Sequence, residues 1–154
     1  MSMYFIGIDI SKYKHDCCII SAANQKVVSK VIIKNNKAGF NELLTIIHSL
    51  ANPADIRIGF ESTAHYALNL ELFLENSLLT FMEVNPVLIS EYKKSKTLRR
   101  TKTDSVDCES IARWLMTVEY KPHSKGFYHA YSLKSLTRLR DKLIRQRSFY
   151  LVKI

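Results

Sequence analysis

Apolar residues open this chain in short β-rich runs and later recur at helical spacing. Residues 3–10 (Met-Tyr-Phe-Ile-Gly-Ile-Asp-Ile) predict a buried first strand. Residues 15–21 and 26–34 predict two more, with Ala22-Ala23-Asn24-Gln25 between them as a hairpin loop. Such short connections imply an antiparallel meander. Phe40, Leu43, Leu44, Ile47 and Leu50 then fall on one helical stripe from about Lys37 to Ala51, which Asn52-Pro53 stops. Residues 56–60 predict a fourth strand, closed by Glu61. Residues 65–76 predict a helix with Leu68, Leu72 and Phe73 on its apolar face. A fifth strand is expected over 78–84, ended by Asn85-Pro86, and a helix over 87–94. A helix over 104–118 turns Ile111, Leu115 and Val118 inward. After a break at 122–126, a final helix starts near Tyr131. Its Leu136, Leu139, Leu143 and Tyr150 fit an a/d seam, with Gln146 as the polar exception, as expected of a coiled-coil start or of a helix lying on the body.

The order β-β-β-α-β-α-β-α is that of the RNase H-like fold, an α/β mixed five-stranded sheet flanked by helices. In that fold the first and fourth strands are neighbours. Asp9 and Glu61 are then expected side by side, with Asp104 and Asp107 packed next to them. These two, three residues apart at the start of the predicted helix, are expected to share a face. A carboxylate within an apolar run such as that around Asp9 is costly to bury without compensation. Four converging carboxylates repel one another unless cations sit between them, and an all-oxygen donor set suits Mg²⁺ or Mn²⁺. Singly, each acid has a plainer explanation. Glu61 could be a solvated strand end, and Asp104 a helix cap. Their order and placement together favour a metal centre.

Charge adds a second feature. The 154 residues carry a net charge of +9. Residues 1–92 hold 7 Lys/Arg and 9 Asp/Glu, whereas residues 93–154 hold 16 and 5. A near-neutral body followed by a strongly basic part points to nucleic acid or an anionic surface. Residues 93–102 (Lys-Lys-Ser-Lys-Thr-Leu-Arg-Arg-Thr-Lys) contain cations and no acid, and read as a basic loop leading into the acidic helix. Lys93, Lys94, Lys96, Arg99, Arg100 and Lys102 are its candidate phosphate contacts. Arg138 and Arg145 on the final helix are two more. Cys17, Cys18 and Cys108 form neither a metal spacing nor a disulfide framework, and are expected to be reduced thiols of a cytoplasmic protein. The five histidines make no close pair. No run is long enough to span a membrane and no signal peptide opens the chain. Two parts are expected: a catalytic domain over 1–126 and a basic helix over 127–154 that starts a coiled coil. The apolar end at Tyr150-Leu151-Val152-Lys153-Ile154 suggests a piece of a longer protein.

Four motifs in order carry a resemblance. Gly7-Ile8-Asp9-Ile10-Ser11-Lys12, Glu61-Ser62-Thr63-Ala64-His65-Tyr66, Asn85-Pro86 and Arg100-Thr101-Lys102-Thr103-Asp104-Ser105-Val106-Asp107 resemble those of the DEDD transposases of insertion-sequence family one-ten, relatives of the pilin-inverting Piv recombinases. Ala64 stands where that family usually has Gly, and Cys108 where it usually has Ala. The resemblance implies a RuvC-like domain with Asp9, Glu61, Asp104 and Asp107 as the catalytic, metal-holding tetrad. It implies DNA strand cleavage and transfer and a structured guide RNA, and the final helix is expected to pair protomers into a homodimer or higher oligomer. It also implies a further domain, with a nucleophilic serine, that nothing here matches.

Two other classes share parts of this pattern. Actin-like and sugar-kinase-type ATPases also open on a strand bearing Asp followed by a phosphate-holding hairpin. Here the first 50 residues contain only Gly7 and Gly39, and a second Gly-rich phosphate segment is missing. A non-catalytic nucleic-acid-binding module on the same fold would tolerate loss of the acids, yet all four are present.

Overall fold

The computed structural model describes residues 2–61, 65–96, 107–123 and 127–152. The chain divides into two compact units, residues 1–122 and residues 123–154.

The first unit is built on five strands: β1 (Tyr4–Ile10), β2 (Lys14–Ser21), β3 (Val27–Lys34), β4 (Ile56–Glu61) and β5 (Phe81–Val84). Its helices are α1 (Lys37–Leu50), α2 (Leu68–Asn76), α3 (Pro86–Lys96) and α4 (Cys108–Leu115). The sheet order is β3-β2-β1-β4-β5. β1, β2 and β3 are antiparallel neighbours, whereas β4 runs parallel to both β1 and β5. The expected mixed five-stranded sheet is therefore present, with β1 at its centre. β2 is buried on both faces over most of its length, as a covered central strand should be.

Strand periodicity sorts the side chains to two faces. Ile6, Ile8, Cys17, Ile19, Ile33, Ile56, Ile58, Phe60 and Phe81 point to one face and pack with Phe40, Leu43 and Ile47 of α1 and Leu70 and Leu74 of α2. The other face carries Cys18, Ile20, Met82 and Val84, and is covered by Ile111, Ala112, Trp114 and Leu115 of α4 and Ile89 of α3. Asn36 caps α1 by accepting from the Gly39 N–H at 2.9 Å.

Three elements depart from the sequence expectation. α2 begins at Leu68 rather than His65, and its inward face is Ala67, Leu70, Glu71 and Leu74. Leu72 is exposed. The true stripe follows i, i+3, i+4, i+7 from Ala67, and the buried glutamate within it hid the pattern. β5 is shorter than expected because Leu78 belongs to the end of α2. It takes a left-handed φ of 57°, and its N–H donates to the Glu75 carbonyl at 3.0 Å. The helix expected from Asp104 starts at Cys108. Asp107 is its N-cap, with extended φ −105° and ψ 164°, and so lies outside the helical turn. The expected common helical face for Asp104 and Asp107 does not hold at Asp107, and Asp104 lies outside the described residues.

The second unit holds α5 (Phe127–Val152). The helix starts a turn earlier than expected. The seam residues Leu136, Leu139, Leu143 and Tyr150 are exposed. No helix among the described residues is long and apolar enough to cross a membrane.

Candidate functional site

Two glycines determine where the acids meet. Gly7 and Gly59 are register partners on β1 and β4, facing α4. A Cβ on Gly7 would be driven into the Cys108 carbonyl and would lie 2.5 Å from the Ala112 nitrogen. One on Gly59 would lie 2.7 Å from a Leu115 methyl. At Gly7 the backbone of α4 thus lies directly against the sheet, and at Gly59 the Leu115 side chain does. Each glycine costs about 0.5–1 kcal/mol of strand stability relative to Ala. Burying Ile111, Trp114 and Leu115 beneath α4 returns roughly 1.5–3 kcal/mol for each large side chain, so the close seat is favoured. Two residues beyond each glycine, on the same face, stand Asp9 and Glu61. One residue before Cys108 stands Asp107. The Gly-x-acid spacing in two adjacent parallel strands, with the first turn of α4 above, is what assembles the carboxylates.

Their electrostatics reflect that assembly. The Asp9 carboxyl is raised above its ordinary value, first by burial and then by the charges of Asp16, Glu61 and Asp107. Glu61 is raised by burial. For Asp107 burial acts in the same direction but is outweighed. Its carboxylate accepts from the Ser110 N–H at 2.7 Å and from the Ser110 hydroxyl, and the Lys93 ammonium stands 3.6 Å away. These hold Asp107 below its ordinary value.

The donor set is all carboxylate, which fits a hard divalent cation, and the like charges crowding Asp9 are what a cation would relieve. Among the described residues no three candidate ligands close around a single point. Asp107 is engaged by Ser110 through one oxygen and by Lys93 through the other.

Asp16 escaped the reading of the sequence. It is the direct cross-strand partner of Asp9 on β2, and such pairs bring their Cβ atoms to roughly 4.5–5.5 Å. The short β1–β2 connection contained the signal. Pairing the two strands through it sets one acid opposite the other.

Of the expected basic residues, Lys93, Lys94 and Lys96 lie in the last turn of α3, where cations also suit the helix terminus. The run therefore begins on a helix and not in a loop. Lys93 reaches the acids through Asp107, and Lys96 lies 5.6 Å from the Tyr92 ring centroid. Arg99, Arg100 and Lys102 lie outside the described residues. Arg138 and Arg145 are exposed on α5, along a face shared with Asp141, Lys142, Phe149 and Tyr150.

Asn35 supports this end of the sheet. Its amide donates to the Lys12 carbonyl at 3.0 Å and to the Tyr66 carbonyl at 3.3 Å. It thereby joins the β1–β2 turn to the segment that follows Glu61.

Comparison with known proteins defines the class first. The structure of Thermus thermophilus RuvC, solved "in complex with Holliday junction substrate", superposes with a TM-score of 0.51 at 11% identity. The match covers 79% of this chain and 99% of that one, and it establishes an RNase H-like, RuvC-like fold. The family model for the DEDD transposases of insertion-sequence family one-ten, described as "Transposase", matches residues 6–153. The chain belongs to this transposase family. Over 115 residues it is 33% identical to the pilin gene-inverting proteins of Moraxella bovis and Moraxella lacunata. Those matches take in 74% of this chain and 34% of each relative, so the chain spans about a third of the curated relatives' length.

Proposed function

We propose that residues 1–126 are the catalytic domain of a transposase or site-specific recombinase that cleaves and transfers DNA strands. The single observation that carries this reading is the seat of α4 on Gly7 and Gly59, which sets Asp9, Glu61 and Asp107 at one end of the central strands. Asp104, three residues before Asp107 in the matched motif, completes the proposed tetrad. These four would hold Mg²⁺ or Mn²⁺. When bound, the metal supplies charge stabilisation to the attacking and leaving oxygens of a phosphodiester.

The remaining work belongs to the chain. Asp9 and Glu61 are fixed by the sheet register, and a bound cation would favour their ionised forms. Asp107 keeps its bond from the Ser110 N–H, which anchors one of its oxygens. Lys93 is placed to exchange Asp107 for a DNA phosphate. The basic residues 93–102, with Arg138 and Arg145, hold the nucleic-acid backbone. The substrate by analogy with RuvC is branched duplex DNA. In the longer protein, a structured guide RNA selects the site, the seam of α5 pairs protomers as a coiled coil, and a further domain supplies the serine that joins strands. The family match favours this reading over nucleotide hydrolysis.

The test combines metal titration with cleavage of four-way and linear DNA. Wild-type protein is expected to bind Mg²⁺ or Mn²⁺ and to nick DNA only with metal. Asp9→Asn, Glu61→Gln, Asp104→Asn and Asp107→Asn should each lose about 10²-fold or more, the scale on which single groups stabilising transition-state charge act. Unchanged cleavage in any two of these variants would reject the tetrad.

A further inference from the structure

Cys18 and Cys108 are far apart in sequence and meet beneath the first turn of α4. Gly7 pairs with Cys18 across β1 and β2, and the carbonyl of Cys108 lies directly over Gly7. Cys108 therefore sits one strand away from Cys18, on the face toward which Cys18 points. The Cys108 side chain packs against the small buried cluster that holds Cys18. Ile20, Ala112 and Met116 pack around them. Their exposure differs. Cys18 is fully buried, whereas Cys108 is partly open to solvent. Cys17, next in sequence, points to the opposite face and packs among the core side chains beneath α1.

We propose that Cys108 and Cys18 form an oxidation site, in which a peroxide converts the thiol pair into a disulfide that ties α4 to β2. Cys108 is the thiol a small oxidant can reach. Its sulfur attacks one oxygen of hydrogen peroxide and the O–O bond breaks. The departing hydroxide takes the thiol proton as water, which leaves a sulfenic acid on Cys108. The Cys18 sulfur then attacks the Cys108 sulfur and the S–O bond breaks. The second hydroxide takes the Cys18 proton as water. Two thiols and one peroxide yield one disulfide and two waters. Because Cys18 is already in contact, the sulfenic acid is intercepted before further oxidation. The new bond is shorter than the thiol contact, and Cys108 is covalently next to Asp107. Oxidation therefore draws the first turn of α4 toward β2 and moves the Asp107 carboxylate. This consequence, though not the thiol chemistry, rests on the carboxylate centre proposed above.

The purified chain is treated with dilute hydrogen peroxide, then denatured and alkylated. Its thiol titre should fall from three to one, with a Cys18–Cys108 cross-linked peptide about 2 Da lighter than the two reduced peptides together. Cys17→Ala should behave like wild type. Cys108→Ala should show no cross-link, and Cys18→Ala should accumulate sulfenic or sulfinic acid at Cys108. An unchanged titre, a Cys108–Cys108 dimer, or over-oxidation of Cys108 unaffected by Cys18→Ala would overturn the proposal. Divalent-cation affinity of the oxidised chain should drop several-fold and recover with dithiothreitol, while Cys108→Ala is insensitive to peroxide. If the cross-link forms but the reduced chain binds no cation, the carboxylate reading fails and the thiol site stands. If cation binds but no cross-link forms, the thiol site fails alone.

Discussion

Asp9 and Asp107 belong to one cluster, yet folding treats them oppositely. Asp9 has a raised carboxyl, so its ionisation opposes folding. Its favourable contribution is present at low pH and is lost as pH rises through the raised value. Asp107 has a lowered carboxyl and contributes stability above the ordinary Asp range, which is lost as pH falls through the lowered value. In metal-free protein at neutral pH, Asp9→Asn is therefore expected to raise the melting temperature. Asp107→Ala, which removes the α4 cap, should cost about 1 kcal/mol. Thermal unfolding of the two variants should move in opposite directions, and equal losses would refute this division of roles. Glu71 offers a cleaner titration. Burial, with Glu83 and Glu75 nearby, pushes it up to about 7. The unfolded chain ionises it near its ordinary value, so stability declines between that value and about pH 7. Glu71→Gln should be close to neutral at pH 4 and stabilise by up to about 3 kcal/mol at pH 8. Denaturant melts at both pH values test this, and a pH-independent effect would refute it. Asp9 and Glu61 could be read from sequence because each interrupts or closes an apolar run. Asp16 could not, because its significance lies in the register that sets it opposite Asp9.

At the level of elements, local pattern was most informative where one face of a strand or helix is apolar and the other is not. β1 to β4 and α1 lie within a residue or so of their expected bounds. α2 departs from its expected bounds because its inward stripe contains Glu71, and β5 because Leu78 closes a helix in a conformation that side chains disfavour. Leu78 is exposed, so removing its side chain leaves no cavity. Leu78→Gly should stabilise by about 1 kcal/mol, the scale of the left-handed penalty for a non-glycine residue. A loss of stability in a chemical melt would mean that the side chain packs where it is seen exposed. The seat of α4 was invisible to periodicity, because a glycine in a strand does not reveal what approaches it. Gly7→Ala adds one methyl against the backbone of Cys108 and Ala112. Neither neighbour can rotate away, so α4 must lift, at a cost of about 1–3 kcal/mol. Cation binding should fall with it although every carboxylate remains. Wild-type cation affinity in a folded Gly7→Ala protein would show that the glycine seat does not position the centre.

Over the whole molecule, charge is unevenly distributed along the chain. The acids gather at the end of β1 and β4, and the excess of cations lies in residues 93–154. A carboxylate centre alone repels a polyanion, so the DNA binding proposed above would depend on basic residues. Lys93 shows the connection directly, being both on α3 and 3.6 Å from Asp107. The order of elements made the sheet legible in advance, since β1 and β4 must be neighbours if the meander is followed by a crossover. The position of the cations in space was not legible, because charged surface residues follow no packing period. Replacing Lys93, Lys94, Lys96, Arg99, Arg100 and Lys102 by Ala should weaken DNA binding and flatten its salt dependence. Each lost phosphate contact should reduce the magnitude of the slope of log K against log salt by about 0.9 on duplex DNA. The fold should persist, since among these residues Lys93, Lys94 and Lys96 lie on the last turn of α3 and only Ile89 of that helix is buried. Fluorescence anisotropy over a salt series measures both quantities. A weakened affinity with an unchanged slope would mean that the six residues act on the carboxylates through Lys93 and not on phosphate. An unchanged affinity would move the nucleic-acid contact to α5, where Arg138 and Arg145 provide the next series of substitutions.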